Sequence, residues 1–325
     1  MIAGHGPNIG HGYVKYVVIT AQGAELPAVV FPSQIARSSH AVAGGLAQAA
    51  SVDIGGTRYW TGDDALLAGS PTTILSQQRL SDPAFIPALL RGALDRFGYL
   101  DGAASGICVT GLPASWATDG ELARRLGERL REATAYQVIK VIPEPLGLIY
   151  SLLLDNNGRI VGDASLQSGK VGIVDIGHLT VDIAVIRNLV PVPASLDTWQ
   201  LGTSKPLAQV RSQLATMFDR ELGMVEADKA VRDGALRVGG RLAALPMGWD
   251  RPLIENGEQL ASRLVEAWGS GAGLDVVLIG GGGAEVPQLV EAIARRFPQA
   301  EVIVEPQLAI ARGYARLARR LGGGQ

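Results

Sequence analysis

The chain has 325 residues, of which 47% are hydrophobic and 18% are charged, and 29 Lys and Arg stand against 31 Asp and Glu for a net charge of -2. This composition excludes an intrinsically disordered chain, which would combine low hydrophobicity with high net charge. The balanced charge argues against direct, non-specific nucleic-acid binding by a monomer. The single cysteine, Cys108, excludes an internal disulfide and a multi-cysteine zinc site.

No secretory signal is expected, because residues 1–20 do not combine a basic run with a following apolar stretch. The longest apolar stretch, Pro145–Leu154, is much shorter than the ~20 residues that cross a bilayer. We therefore expect a soluble, cytoplasmic protein with no membrane partner. At about 150 residues per domain, the length predicts two domains.

Strands and helices are predicted to alternate along the chain. Residues 13–19 are rich in Val and Tyr and predict a strand, while Leu122, Leu126 and Leu130 are spaced by four and predict an amphipathic helix over 121–134. Two close hairpins interrupt the alternation, so a simple doubly wound sheet is not expected. Further strands are predicted at 26–31, 107–111, 137–142, 170–175, 180–186, 275–280 and 301–304, and an edge hairpin or small subdomain at 52–60. Helices are predicted at 82–97, 145–154, 285–297 and 306–320, a loop at 155–169, and mostly helix at 204–268.

A short internal repeat marks the beginning of each half of the chain. Residues 8–19 read NIGHGYVKYVVI and residues 175–186 read DIGHLTVDIAVI, so six of twelve positions are identical at a shift of 167. Each copy predicts a strand, a tight glycine turn and a second strand. Such a turn can direct backbone N–H groups at an anion, because glycine has no Cβ to block the approach. Two ordinary hairpins of similar composition remain the alternative.

A run of four glycines, Gly280–Gly283, follows an apolar strand and precedes a predicted helix. Bare backbone at this place allows close approach of a nucleotide, and the helix N-terminus offers N–H groups to phosphate. A flexible loop between strand and helix is the structural alternative. The chain has no GxxxxGK[ST] and no GxSxG motif, and no convincing GxGxxG after a first strand, so a P-loop NTPase, an α/β-hydrolase and a Rossmann dehydrogenase are not expected.

Three charged residues lie in or beside these motifs. Glu144 stands between Pro143 and Pro145 at a predicted strand-to-helix junction, where proline fixes φ and so defines the direction of the carboxylate. The helix dipole also favours a glutamate there, so chemical and structural roles are both compatible with the position. Asp175 is the best candidate for a magnesium site, with a hairpin-capping role as the alternative. Lys15 suits either a phosphate contact or a solvated strand position.

Five stretches in this order resemble the motifs of one superfamily. They are NIGHGYVK (8–15), VIPEPLG (141–147), VDIGHLTVDIAV (174–185), VLIGGGGAEV (277–286) and EPQLAIARGYARL (305–317). The set is similar to the two phosphate hairpins, the two connecting helices and the adenosine motif of the actin-like ATPases. The closest resemblance is to the bacterial and archaeal actin-like proteins of the ParM/StbA type. Three smaller stretches support that subgroup: FPSQIAR (31–37), YWTGDDAL (59–66) and VTGLPASW (109–116).

The resemblance implies an α/β fold of two domains, the duplicated, ribonuclease H-like fold of actin, with a nucleotide cleft between the domains. Domain I would comprise residues 1–154, with the terminal helix in 305–325 returning to it. Domain II would comprise residues 155–304, with 200–268 as an inserted subdomain. Ala309 and Gly313 are small, which would let the second connecting helix approach its neighbour closely.

The resemblance also implies a set of site residues. Glu144 would orient the attacking water, and Asp175 would hold Mg²⁺ through water together with residue 8, where the family usually has Asp and this chain has Asn8. An amide supplies no negative charge, so weaker magnesium binding or slower hydrolysis is expected. Asp182 would either organise its hairpin or reach the water shell of the metal. The implied nucleotide contacts are Asn8, Gly10, Gly12, Tyr13, Lys15, Gly177, His178, Thr180, Asp182, Gly280, Gly281, Gly282 and Gly283.

The function implied by the resemblance is binding and hydrolysis of ATP or GTP with Mg²⁺, coupled to assembly of the chain into filaments. The expected role is plasmid or DNA segregation, or another cytoskeletal task, with DNA reached only through an adaptor protein. One alternative is a nucleotide-gated scaffold or chaperone-like regulator that does not polymerise. A third is a small-molecule kinase of the same superfamily, although no long substrate-binding insertion is evident.

Overall fold

The computed structural model describes residues 3–38, 51–67, 70–99 and 104–323. The chain divides into two units, which are described separately: unit 1 is Met1–Asp163 with Leu308–Gln325, and unit 2 is Ala164–Gln307. The sequence predicts domain boundaries after residue 154 and before residue 305, whereas the division in the structure falls after residue 163 and after residue 307. No helix among the described residues combines the length and the apolar character needed to cross a bilayer.

Unit 1 contains a five-stranded sheet in the order β3-β2-β1-β7-β8, and β4-β6-β5 form a separate three-stranded sheet. Strands β1, β2 and β3 are antiparallel neighbours, whereas β7 runs parallel to both β1 and β8. The strands are β1 (Gly4–Ile9), β2 (Tyr13–Ile19), β3 (Val29–Pro32), β4 (Ile35–Arg37), β5 (Ser51–Ile54), β6 (Thr57–Thr61), β7 (Ile107–Leu112) and β8 (Val138–Pro143), and the helices are α1 (Asp63–Leu66), α2 (Phe85–Arg96), α3 (Ala114–Ala117), α4 (Gly120–Ala133) and α5 (Glu144–Leu153).

Helices α2 and α4 contribute buried apolar side chains to one core cluster with this sheet, and α4 follows the predicted pattern closely. Leu122, Leu126 and Leu130 are all buried, since residues four apart lie on one face of a helix. Asp119 caps the helix, because its carboxylate accepts hydrogen bonds from the backbone N–H groups of Glu121 (2.9 Å) and Leu122 (3.4 Å). The local sequence therefore determines both where α4 begins and which face it buries.

Unit 2 repeats the arrangement of the main sheet of unit 1. Its six-stranded sheet has the order β11-β10-β9-β15-β16, with β12 also paired to β10. As in unit 1, a hairpin of two antiparallel strands is followed by two parallel strands. The elements are β9 (Lys170–Ile176), β10 (Val181–Arg187), β11 (Val190–Pro191), β12 (Asp197–Trp199), β13 (Ala235–Val238), β14 (Arg241–Ala244), β15 (Val276–Gly280) and β16 (Ala300–Val302), with α6 (Ala164–Ser168), α7 (Ser204–Met217), α8 (Met224–Asp233), α9 (Arg251–Trp268) and α10 (Pro287–Arg296).

The segment expected to be mostly helical differs from the prediction in one respect. Helices α7, α8 and α9 are present, but β13 and β14 form an antiparallel hairpin between α8 and α9. Its turn contains Gly239 and Gly240 at φ values of 55° and 81°, which only glycine adopts at little cost and which match the twist of a two-residue hairpin. Smaller differences are α6, which lies within the predicted loop 155–169, and β16, which ends at Val302.

The last helix, α11 (Pro306–Gly322), packs within unit 1. Ala311 and Ala315 form an apolar cluster with Val17 and Ile19 of β2. A Cβ on Gly313 would overlap the backbone oxygen of Gly147 in α5. Close contact between the two backbones therefore requires glycine at residue 313, which is the role predicted for it.

His5, Tyr16 and Tyr136 form a buried hydrogen-bond network in unit 1. The Nε2 atom of His5 donates to the backbone oxygen of Ser105 (3.1 Å), so in the neutral ring Nδ1 accepts from the Tyr16 hydroxyl (2.9 Å). The Tyr16 hydroxyl also bonds to that of Tyr136. Burial lowers the pKa of His5 to about 4, from 6.5, because a charged ring loses its hydration there.

This lowered pKa predicts a loss of stability in acid. The unfolded chain binds a proton to His5 below pH 6.5, whereas the folded chain does so only near pH 4. The contribution of His5 to the free energy of unfolding is therefore greatest above pH 6.5. It decreases by about 3 kcal/mol in total as the pH falls to 4. Chemical denaturation of the wild type and of His5→Gln, measured across this range, should give a steeper decline for the wild type. Parallel profiles would contradict the prediction.

Candidate functional site

The turn between β1 and β2 brings together several predicted site residues of unit 1. Asn8 is paired with Lys15 across the two strands and is only 3% exposed. Its Nδ2 donates a hydrogen bond of 3.1 Å to Oε1 of Glu144. A Cβ on Gly10 would lie 3.2 Å from Nζ of Lys15, so the ammonium group lies beside the glycine turn. An amide, a carboxylate and a cation thus meet at one end of the hairpin.

Glu144 is the first residue of α5 and follows directly on β8. Pro143 has φ −58° and Pro145 lies in the first turn of the helix, so the chain enters the helix with little freedom. Glu144 also lines a cavity of about 20 Å³ with Thr110, Arg79 and other residues of unit 1. A cavity of this volume has room for a single water molecule. The predicted strand-to-helix junction is confirmed.

Arg79 was not identified from the sequence, although it contacts this turn directly. Its guanidinium donates hydrogen bonds to the backbone oxygens of Ile9 (2.9 Å) and Gly10 (3.1 Å). Burial lowers its pKa to about 10, and the charge of Glu144 acts in the opposite direction. The arginine therefore remains a cation at neutral pH and helps to balance the Glu144 carboxylate.

Two other missed residues, Ser33 and Thr110, lie in stretches whose resemblance to the family was noted. The Ser33 hydroxyl donates to the oxygen of Gly10 (2.7 Å), and the Thr110 hydroxyl donates to that of Pro7 (2.7 Å). The remaining turn residues are placed as follows. Gly12 accepts a backbone hydrogen bond from Ser33, Tyr13 begins β2, and the ring of His11 meets the indole of Trp116 edge-on at 5.5 Å.

The hairpin of β9 and β10 has the same geometry in unit 2. Asp175 is paired with Asp182 across the strands, which is the pair equivalent to Asn8 and Lys15 at the shift of 167. A Cβ on Gly177 would lie 2.9 Å from the oxygen of Thr180, and one on Gly10 would lie 3.0 Å from the oxygen of Tyr13. The internal repeat therefore corresponds to two turns of matching backbone shape.

The carboxylate of Asp182 accepts two hydrogen bonds within its own unit. The Thr180 hydroxyl donates to one oxygen (2.9 Å) and the Thr198 hydroxyl donates to the other (2.6 Å). Of the two roles considered for Asp182, this arrangement favours organising the hairpin and fixing β12 beside it. His178 takes part through its backbone oxygen, which accepts from the N–H of Ser204 (2.7 Å).

The glycine run after β15 packs against the end of β9. Gly280 is paired with Asp175 in the parallel ladder. Gly281 has φ 83°, and a Cβ there would overlap a carboxylate oxygen of Asp175. A Cβ on Gly283 would overlap the side chain of Ile176, whereas one on Gly282 would lie 3.6 Å from the guanidinium of Arg232. Bare backbone at residues 281 and 283 is thus required by the packing of unit 2 itself.

The two equivalent hairpins carry opposite charge. In unit 1 the paired positions hold Asn8 and Lys15, with Arg79 nearby. In unit 2 they hold Asp175 and Asp182, which are 4% and 1% exposed. Two buried carboxylates on facing strands repel each other, and a nearby cation relieves that repulsion. The first hairpin is therefore suited to an anion and the second to a cation.

Comparison with known proteins agrees with this duplicated architecture. Residues 8–147 match the family model described as the N-terminal domain of actin-like proteins. Among solved structures, the chain is similar to Ta0583, an archaeal actin homologue, with a TM-score of 0.72 and 18% identity over 98% of this chain and 100% of that one. The same homologue has been solved in complex with ADP. No curated protein sequence matches the chain.

Two ParM structures are also similar. The protein of a 15-stranded ParM filament from Clostridium botulinum has a TM-score of 0.72 and 18% identity, over 98% of this chain and 99% of that one. The apo ParM protein of pSK41 has a TM-score of 0.67 and 17% identity, over 97% and 96%. These likenesses confirm the predicted actin-like, two-domain α/β fold.

The hydrogen bond between Asn8 and Glu144 leads to a prediction about stability. In Asn8→Asp, a carboxylate would face Glu144 and the donor would be lost, so the variant should be less stable by about 1–3 kcal/mol at pH 8. Adding Glu144→Gln should restore most of the loss, because a neutral amide can again donate to a carboxylate.

A double-mutant cycle by chemical denaturation measures this coupling. The matched control is Asn156→Asp with Glu144→Gln, since Asn156 belongs to unit 1 and bonds to Arg316 instead. The control pair should show additive changes. Additive changes for residues 8 and 144 would exclude the inferred interaction.

Proposed function

Because the chain has the actin-like fold and residues 8–147 match the N-terminal domain of actin-like proteins, we propose that it binds and hydrolyses a magnesium nucleotide, ATP or GTP. The observation that carries the proposal is the opposite charge of two matching hairpins, one with Lys15 and one with Asp175 and Asp182. A magnesium nucleotide presents both an anion and a cation. The ADP complex of the archaeal homologue supports the nucleotide class.

Each hairpin has a distinct task in this proposal. The amides of the Gly10–Gly12 turn and the ammonium of Lys15 bind phosphate oxygens. The Asp175 carboxylate would hold Mg²⁺ through water, with Asn8 as a neutral partner, because Mg²⁺ keeps several waters and prefers oxygen ligands. The bound metal would neutralise charge on the phosphates. Gly177, Thr180 and Asp182 keep the second turn in shape, and Gly280–Gly283 lie beside the base and sugar.

Glu144 is the proposed catalytic residue. Its carboxylate orients the attacking water, and positioning supplies most of the catalysis in phosphoryl transfer. The hydrogen bond from Asn8 and the rigid entry into α5 hold that carboxylate in one direction. The neutral Asn8 contributes no charge to the metal, and we therefore propose that hydrolysis is slow.

We further propose that the nucleotide controls self-assembly into filaments in a cytoplasmic segregation or cytoskeletal system. The likeness to the protein of a ParM filament supports this step. Head-to-tail contacts that do not close into a ring generate such an open polymer. The net charge of -2 favours an adaptor protein, rather than this chain, as the direct contact to DNA.

Glu144→Gln tests the catalytic assignment. The variant should bind ATP within about threefold of the wild type but release phosphate at least about 100-fold more slowly, because water positioning is lost while the phosphate contacts remain. Titration calorimetry and a phosphate-release assay with Mg²⁺ measure the two properties. Glu255→Gln is the control, since Glu255 is an exposed residue of unit 2 paired with Arg251. Unchanged turnover in Glu144→Gln would remove this residue from its role.

Filament formation is tested by sedimentation and electron microscopy of the purified protein. We expect assembly with ATP and Mg²⁺ and none without nucleotide. Glu144→Gln filaments should persist after the wild-type filaments have disassembled, because hydrolysis would loosen the contacts. Nucleotide binding without any assembly, even at high protein concentration, would support a nucleotide-gated scaffold instead.

A further inference from the structure

Arg79 is buried to a degree that is unusual for an arginine. It lies in a short 3₁₀ segment, Gln77–Leu80, and is 3% exposed. Its guanidinium stands over the ring of Phe85 at 5.5 Å. Burying a cation is costly unless hydrogen bonds and charges compensate. The partners of this guanidinium therefore indicate what its position achieves.

Those partners are the backbone oxygens of the first hairpin turn. Arg79 donates to Ile9 and Gly10, and the Ser33 hydroxyl donates to Gly10 as well. In a planar trans peptide, the C=O and the following N–H point in opposite directions. Holding these two oxygens on the Arg79 side therefore directs the N–H groups of Gly10 and His11 to the other side of the turn.

The turn needs such a restraint because of its glycine. Gly10 has no Cβ, so its flanking peptides can rotate at little steric cost. In the equivalent turn of unit 2, the oxygens of Gly177 and His178 accept from the backbone N–H groups of Thr203 (3.1 Å) and Ser204 (2.7 Å). The oxygen of the turn glycine is thus held by a main-chain donor at the start of α7 in the second turn, and by the side chains of Arg79 and Ser33 in the first.

We propose that Arg79 is a positioning residue for phosphate binding, which acts by fixing the peptide planes of the first turn so that the Gly10 and His11 amides face the anion. Ser33 is its partner in this task. The inference rests on the proposed nucleotide function and adds a residue far from the hairpin in sequence. Arg79 contacts the backbone alone in this role, and the phosphate is bound by the amides on the opposite side.

Arg79→Lys tests the proposal, because lysine keeps the charge but cannot hold two oxygens with one planar group. We expect the dissociation constant for ATP to rise about tenfold or more, with kcat at saturating ATP changed less than about threefold, since lysine keeps the positive charge near Glu144. The control is Arg96→Lys, because Arg96 is a half-buried arginine of unit 1 that also bonds to backbone oxygens, those of Gly92 and Thr61. The control should bind ATP like the wild type.

Ser33 provides a second route that does not depend on the folding of Arg79→Lys. Ser33→Ala removes one donor and should weaken ATP binding about threefold, whereas Ser33→Thr keeps the hydroxyl and should restore it. If folded Arg79→Lys or Ser33→Ala binds ATP as tightly as the wild type, or if Arg96→Lys loses as much affinity, the proposal is overturned. A wild-type protein that binds no nucleotide would instead overturn the proposed function, and this inference with it.

Discussion

The structure depends on one constraint: in each unit, two antiparallel strands reverse direction within very few residues. Residues close to the turn, such as Asn8 and Asp175, nevertheless stay buried. Both ladders end at equivalent pairs, Ile9 with Val14 and Ile176 with Val181, and a glycine follows each. Beyond those pairs the backbone oxygens of the half-buried turn no longer have ladder partners. Each buried oxygen needs a donor, and supplying those donors determines which segments of the chain must lie beside the turn.

The two units meet this requirement differently, and the difference extends to their charge. In unit 2 backbone N–H groups at the start of α7 donate to the turn, and the facing strand positions hold the carboxylates of Asp175 and Asp182. In unit 1 the Arg79 guanidinium and Ser33 donate to the turn, and the facing positions hold an amide and an ammonium. The internal repeat thus comprises one cationic and one anionic hairpin, although the two turns are similar in backbone shape. A symmetrical pair would carry like charges, whereas this pair carries opposite ones.

Much of this was predictable because the signals are local. The shift of 167 identified the hairpins, the prolines around Glu144 identified the junction, and the spacing of Leu122, Leu126 and Leu130 identified the buried face of α4. Arg79 could not be found in this way, since it lies about 70 residues from the turn and no periodicity marks an arginine that bonds to backbone. The hairpin of β13 and β14 is a different case: the Gly239-Gly240 pair was a usable signal, and the helical character of its flanks obscured it.

The glycine run and Asn8 each have a structural role that the family resemblance does not indicate. The sequence predicts that the run allows a nucleotide to approach. In the structure, contacts with Asp175 and Ile176 already require glycine at residues 281 and 283. Only Gly280 and Gly282 therefore remain as glycines that a ligand could explain. From the sequence, Asn8 differs from the usual aspartate only in lacking a negative charge. Its amide, however, donates to Glu144, and an aspartate has no proton with which to do so at neutral pH. The amide at residue 8 therefore gives up a negative charge and gains a donor that fixes the direction of the Glu144 carboxylate.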